Sequence, residues 1–256
     1  MKKYLFILLI TFSIFSYSED YDFSNYTKFL SKEIKNGNFP GFVTLIYKDG
    51  KVIFSDTRGF ADIEDRLALN EDSLFRIYSM TKPITGAALM ILVEQGKVSL
   101  SDPVAKYIPE FKNTMVLNSK TNQLEKLDRE VTILDLATHS SGLTYSFVDR
   151  GKIKEIYDQE KIYPYYFLDN ISLERPAKKS YADICTLSEK VASLPLVHQP
   201  GEKWTYSIGM DILGFVIERA SNLSFGKFLK KNIFDPLGME DTFFKVPNSK
   251  QNRMID

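Results

Sequence analysis

Two strongly apolar helical stretches constrain the fold of these 256 residues more than any other feature. The first runs from about Ser79 to Gln95 and reads SMTKPITGAALMILVEQ; the second, residues 207–221, reads SIGMDILGFVIERAS. A helix with so little polar surface has to be covered by other elements, so both stretches predict the inside of a helical layer. Gly96 suits the position just past the end of the first helix, where a left-handed residue closes the turn.

The other elements read as a mixture of few strands and many helices. GFVTLIYKDGKVIFSDTRGFAD, residues 41–62, has the form of a hairpin: Val43, Leu45 and Tyr47 alternate with their neighbours, Asp49-Gly50 supplies a tight turn, and Val52-Ile53-Phe54 returns. Residues 114–133 predict a small β-ribbon around a polar tip, and a helix is expected from Thr132 to Gly142. The charged, aromatic stretch from Phe147 to Tyr181 reads as a variable lid with weak helices. A short helix follows in LSEKVASLPL, stopped by Pro195, and a last amphipathic one in SFGKFLKKNIFDPLGM, ended at Asp235-Pro236.

Lysine and arginine number 33 and so do aspartate and glutamate, so the chain has no basic footprint for nucleic acid and no acidic tail. Cys185 is the only cysteine, which excludes an internal disulfide. The two histidines, His139 and His198, are far apart in sequence, and no spaced cluster of ligands suggests a metal or another cofactor. Residues 1–18, MKKYLFILLITFSIFSYS, place two lysines before a charge-free run from Tyr4 to Ser18 and read as a secretory signal peptide cleaved after Ser18. That implies a periplasmic or secreted bacterial protein, with residues 19–256 as its mature domain. The run is short for a spanning helix and lacks a basic stop-transfer flank, so no stable membrane span is expected after cleavage.

The start of the first apolar helix carries chemistry. Ser79 and Lys82 are three apart, and residues at that spacing share one helix face. A serine hydroxyl is a poor nucleophile until a base takes its proton; a lysine does so only where burial or the positive end of a helix lowers its affinity for a proton. The first turn of a buried helix supplies both, along with free backbone N–H groups suited to an oxyanion. Pro83 fits there because first-turn N–H groups lack intrahelical partners. The spacing alone does not decide, since Ser224 and Lys227 repeat it at the head of an amphipathic helix, where the serine reads as a plain cap.

Context separates the two. SMTKPITGAALMILVEQGKVSLSDPVAKYIPEF resembles the nucleophile segment of the serine β-lactamase and penicillin-recognising family. It is most similar to the branch with class C β-lactamases, family VIII esterases and D-aminopeptidase-like hydrolases. TILDLATHSSGLTY, LPLVHQPGEKWTYSIGMDILGFVIE and LGMEDTFFKVP resemble later blocks of the same family in the same order, so the likeness covers roughly residues 42–247. It implies an α+β fold, a helical region plus an antiparallel sheet, with the C-terminal sheet strands missing from this chain. It further implies Ser79 as the acylated serine, Lys82 as its paired lysine, and Tyr206 as the tyrosine that carries the proton to the leaving group. The resemblance assigns His139 packing and hydrogen bonding rather than catalysis. The implied substrate is a small ester, amide or β-lactam.

Two departures stand out. Ile208 replaces the asparagine that contacts a β-lactam side chain in class C enzymes, which favours an ester or small amide. No Lys-Thr-Gly or His-x-Gly follows Tyr206. A non-catalytic penicillin-binding or sensor-like module, or an inactive fragment of such a hydrolase, is therefore the alternative to an enzyme.

Overall fold

A computed structural model describes residues 21–149, 151–162 and 183–255. The expected signal peptide and most of the expected lid lie outside the described residues. The chain divides into two units, residues 1–75 with 252–256, and residues 76–251.

The first unit contains helix α1 (Ser24–Lys35) and strands β1 (Gly41–Lys48), β2 (Lys51–Asp62) and β3 (Leu67–Ala68), paired antiparallel in the order β1-β2-β3. The expected hairpin is present. Asp49 and Gly50 both have positive φ, 49° and 74°, as a type I′ turn requires, and Lys48 pairs with Lys51 across it. A bulge between Ile46 and Tyr47 shifts the register. Arg58 of β2 donates to the carbonyl of Thr27 at 2.8 Å and to Ser31 Oγ at 2.6 Å, and Phe23 packs on Phe54 at 4.4 Å, so α1 is fastened across the sheet. The terminal segment joins the same unit: Leu74 N–H donates to the Arg253 carbonyl at 2.7 Å.

The second unit is built around the two apolar helices. Helix α2 (Thr81–Glu94) buries Ala88, Leu89 and Leu92, and helix α6 (Gly209–Ser221) buries Ile212, Leu213, Phe215, Val216 and Ile217; they pack against each other at the centre of the core. The predicted ribbon is strands β4 (Met115–Leu117) and β5 (Leu124–Lys126). Leu196 extends it by exchanging backbone hydrogen bonds with Met115 and Leu117 at 2.8 and 2.9 Å. Helices α3 (Ile133–Ala137), α4 (Lys152–Gln159), α5 (Ile184–Ala192) and α7 (Phe225–Leu229) surround the central pair.

Three of these elements differ from their sequence-based expectation, each for a local reason. Ser79 is not the first residue of α2: it lies in a 3-10 turn, Tyr78–Met80, and the α-helix begins at Thr81. Helix α3 stops at Ala137 rather than at Gly142, because His139 enters the left-handed region at φ 58°. The last helix is α-helical only to Leu229 and continues as a π-turn through Lys230–Phe234. Ser224 does occupy the N-cap of α7, but without a side-chain capping bond.

The beginning of α3 is strongly fixed. Thr132 and Asp135 form a reciprocal capping box. The Asp135 carboxylate also accepts from both terminal nitrogens of Arg129, at 2.6 and 2.8 Å, and from Ser140 Oγ at 3.2 Å. The loop after α3 is then tied to the chain ahead of α6: Gly201 N–H donates to the Ser140 carbonyl and Thr205 N–H to the His139 carbonyl, each at 2.8 Å. Those bonds set the position of Tyr206.

Candidate active site

Ser79, Lys82 and Tyr206 come from two chain segments and converge. Ser79 Oγ lies 2.7 Å from the Tyr206 hydroxyl, and Lys82 Nζ donates to Ser79 Oγ at 3.2 Å. The turn carrying Ser79 is strained: Tyr78, immediately before it, has φ 41°, a conformation that a bulky aromatic residue adopts only when its surroundings enforce it. Lys82 follows on the first turn of α2 and aims its ammonium at the faces of Tyr206 and Tyr145, 4.8 and 5.7 Å from the ring centroids.

The two tyrosines are pushed in opposite directions. Burial by itself raises the Tyr206 phenol, but hydrogen bonding with Lys82 and Ser79, together with the lysine's charge, outweighs it and brings the phenol below the usual tyrosine value. Tyr145 is 7 % exposed; burial first, then the nearby Asp211 carboxylate, hold its phenol well above that value. Divergence of two like groups in one site marks which of them can exchange a proton. Of the pair, Tyr206 is the one pushed toward losing its proton and Tyr145 the one held in its protonated form. Asp211, on the first turn of α6, is an exposed residue whose carboxyl is nonetheless raised by desolvation from the surrounding protein, and the charge of Lys82 opposes the rise.

His139 supports Tyr206 from beneath, with ring centroids 5.0 Å apart. Its Nδ1 accepts from Ser207 N–H at 3.2 Å and lies 3.0 Å from Ser207 Oγ, so the neutral ring carries its proton on Nε2. Burial and then the charge of Lys82 keep the imidazole's affinity for a second proton low. His198 is engaged elsewhere: Nδ1 donates to the Gln199 carbonyl at 2.8 Å and Nε2 lies 3.0 Å from Thr205 Oγ1. Ile208 is packed into the core at the head of α6, 6 % exposed.

Sequence reasoning missed Tyr145, Asp211, Trp204 and Phe147. Trp204 stacks beside Tyr206 at 6.2 Å and 21°, and Phe147 stacks on Tyr145 at 5.0 Å and 17°. The alternation Trp-x-Tyr, which sets residues 204 and 206 on one side of an extended segment, was the available signal for Trp204. Among the described residues no group of histidine, cysteine and carboxylate side chains could hold a metal ion.

A serine hydroxyl that accepts from a lysine and lies within hydrogen-bond distance of a phenol whose own proton is loosened has the geometry of an activated nucleophile. The comparisons with known proteins agree with that class. The beta-lactamase family profile matches residues 27–254, and the chain belongs to that family. Among curated relatives, Protein Rv1367c of Mycobacterium tuberculosis is 34% identical over 220 residues, 85% of this chain and 50% of its own length. Esterase EstB of Burkholderia gladioli is 33% identical over 204 residues, 80% of this chain and 47% of its own length. Simvastatin Synthase (LovD) from Aspergillus terreus superposes with a TM-score of 0.71 at 25% identity, over 90% of this chain and 55% of LovD. The hydrolase EstCE1 shares the fold, with a TM-score of 0.70 over 90% of this chain and 54% of its own. The chain thus spans about half the length of the curated relatives it matches.

Proposed function

We propose that the protein is a secreted serine hydrolase that cleaves small esters or amides through an acyl-enzyme on Ser79. The observation that carries this reading is the convergence on one hydroxyl of Tyr206 at 2.7 Å and Lys82 at 3.2 Å. In the first step the Tyr206 phenolate, stabilised by the Lys82 ammonium, takes the proton from Ser79 as Oγ bonds to the substrate's carbonyl carbon. The N–H of Ser79, in the turn ahead of α2, is a donor for the oxyanion that forms. The tetrahedral intermediate collapses, the bond to the leaving oxygen or nitrogen breaks, and that atom takes the proton from Tyr206. Water then attacks the acyl carbon as Tyr206 takes its proton, the bond from that carbon to Oγ breaks, and Oγ takes the proton back from Tyr206 as the acid leaves, restoring Ser79 and the phenolate.

The similarity to an esterase supports an ester substrate. The burial of Ile208 supports the same choice, since an apolar side chain packed in the core offers nothing to the amide of a β-lactam side chain. Residues 1–18 support export, which would place the activity in the periplasm or outside the cell. The test is a comparison of short-chain p-nitrophenyl esters with nitrocefin on the intact protein. The expected result is a higher kcat/KM for the esters. A higher value for nitrocefin overturns the ester assignment, and covalent labelling without turnover of any substrate favours a penicillin-binding or sensor-like module.

A further inference from the structure

Next to Tyr206 lie two exposed aromatic rings that the proton chemistry does not use. Trp204 is 68% exposed although its ring stacks beside Tyr206 at 6.2 Å and 21°; on another side of Tyr206, Phe147 meets its ring edge-on at 6.5 Å and is 43% exposed. Exposed aromatic rings next to a reactive group mark a place where a flat apolar group of a ligand rests. The position also says which part of the substrate would rest there. The leaving atom must come within hydrogen-bond reach of the Tyr206 hydroxyl to receive its proton, so whatever that atom carries comes near the rings that flank Tyr206, of which Trp204 is the most exposed.

Resting on the serine hydrolase reading above, we infer that Trp204 is the binding surface for the leaving group, and that the preferred substrates are esters of flat, apolar alcohols such as aromatic ones. The bonds made and broken are those already given: the ester C–O bond breaks, the aromatic alcohol leaves with the proton from Tyr206, and water completes the hydrolysis.

Two isomeric esters test the assignment. Benzyl acetate carries its ring on the alcohol, and methyl phenylacetate carries the same ring on the acid. Trp204→Ala in the intact protein should lower kcat/KM for benzyl acetate about 5–10-fold more than for methyl phenylacetate, the scale of one lost aromatic contact, with the difference in KM. Trp204→Phe should restore most of the preference. Equal losses on the two isomers would make Trp204 a mere support for Tyr206 and overturn the inference; so would a greater loss on methyl phenylacetate.

A second readout needs no turnover. Trp204 is the chain's single tryptophan, so fluorescence excited at the red edge of the absorption band, where tyrosine does not absorb, reports on this surface alone. In Ser79→Ala protein, benzyl acetate should produce a saturable change in emission that methyl phenylacetate produces only at higher concentration. Absence of that change, or the same change at equal concentrations of both isomers, overturns the leaving-group assignment. If Ser79 itself cannot be acylated in the wild-type protein, the hydrolase reading fails independently of where the ring binds.

Discussion

Asp135→Asn is the substitution whose consequence can be worked out most fully from the structure. Asp135 is 4% exposed and accepts from both terminal nitrogens of Arg129, from the backbone N–H and hydroxyl of Thr132 at 2.9 and 2.7 Å, and from Ser140 Oγ. Asparagine keeps the shape but removes the charge and turns one acceptor into a donor facing donors. Loss of hydrogen bonds to a charged group costs about 1.5–3 kcal/mol, and loss of half the capping box adds about 1 kcal/mol. Arg129 is 45% exposed and can rehydrate, so the cost stays short of the roughly 3–5 kcal/mol typical of a fully buried ion pair. The expected destabilisation is about 2.5–3 kcal/mol, a Tm lower by about 5–10 °C for a unit of this size.

The pH dependence has a definite sign. Burial alone would raise the Asp135 carboxyl, but the bonds from Arg129 and Thr132 outweigh it and hold its pKa below the ordinary 3.8. A carboxyl lowered on folding contributes its stability above the unfolded value and loses it as pH falls through the folded one. The Tm gap between wild type and Asp135→Asn should therefore be full between about pH 5 and 7 and close as pH drops below 3.8. Thermal melts followed by circular dichroism across that range decide the matter. A gap under about 1 °C at pH 7, or one that persists undiminished at pH 3, would refute the charge-based account.

Other perturbations probe the site and its scaffold. Lys82→Ala and Tyr206→Phe should each slow acylation about 10²–10⁴-fold, and the double variant should be far less impaired than the product of the two, because both groups serve one proton path; stopped-flow acylation rates that multiply would contradict this. The rate in the wild type should rise with pH along a limb centred below the usual tyrosine value of 10.0, and Tyr206→Phe should abolish the limb. Gly142 has φ 86°, and a Cβ there would collide with the backbone carbonyl of His198. Gly142→Ala should thus cost about 2–4 kcal/mol in urea unfolding, while an unchanged midpoint would show that the loop can give way.

The sequence made the skeleton of this fold legible where periodicity and turn chemistry were strong. The alternation around Asp49-Gly50 located the hairpin, and the apolar runs located the two central helices. Elements governed by distant partners were not legible in that way. Tyr78 has no turn-forming character, so its positive φ and the 3-10 turn at Ser79 arise from tertiary surroundings rather than local preference. His139 ends α3 early in a left-handed conformation that a Thr-His-Ser-Ser stretch does not announce. The site divides similarly. Ser79 and Lys82 stand three residues apart and could be paired from spacing and family resemblance. The opposite shifts of Tyr145 and Tyr206, and the aromatic surface at Trp204, depend on segments as far apart in sequence as Ser79 and Tyr206, a separation of 127 positions, meeting in the folded chain.

The central claim is that Ser79, and not the similarly spaced Ser224, is the nucleophile. The most direct measurement is covalent labelling of the intact protein with a fluorophosphonate, located by peptide mass spectrometry, in wild type, Ser79→Ala and Ser224→Ala. The account predicts one adduct on the peptide containing Ser79, its loss in Ser79→Ala, and labelling of Ser224→Ala at the wild-type rate. An adduct on Ser224, or labelling of Ser79→Ala at an undiminished rate, would contradict it.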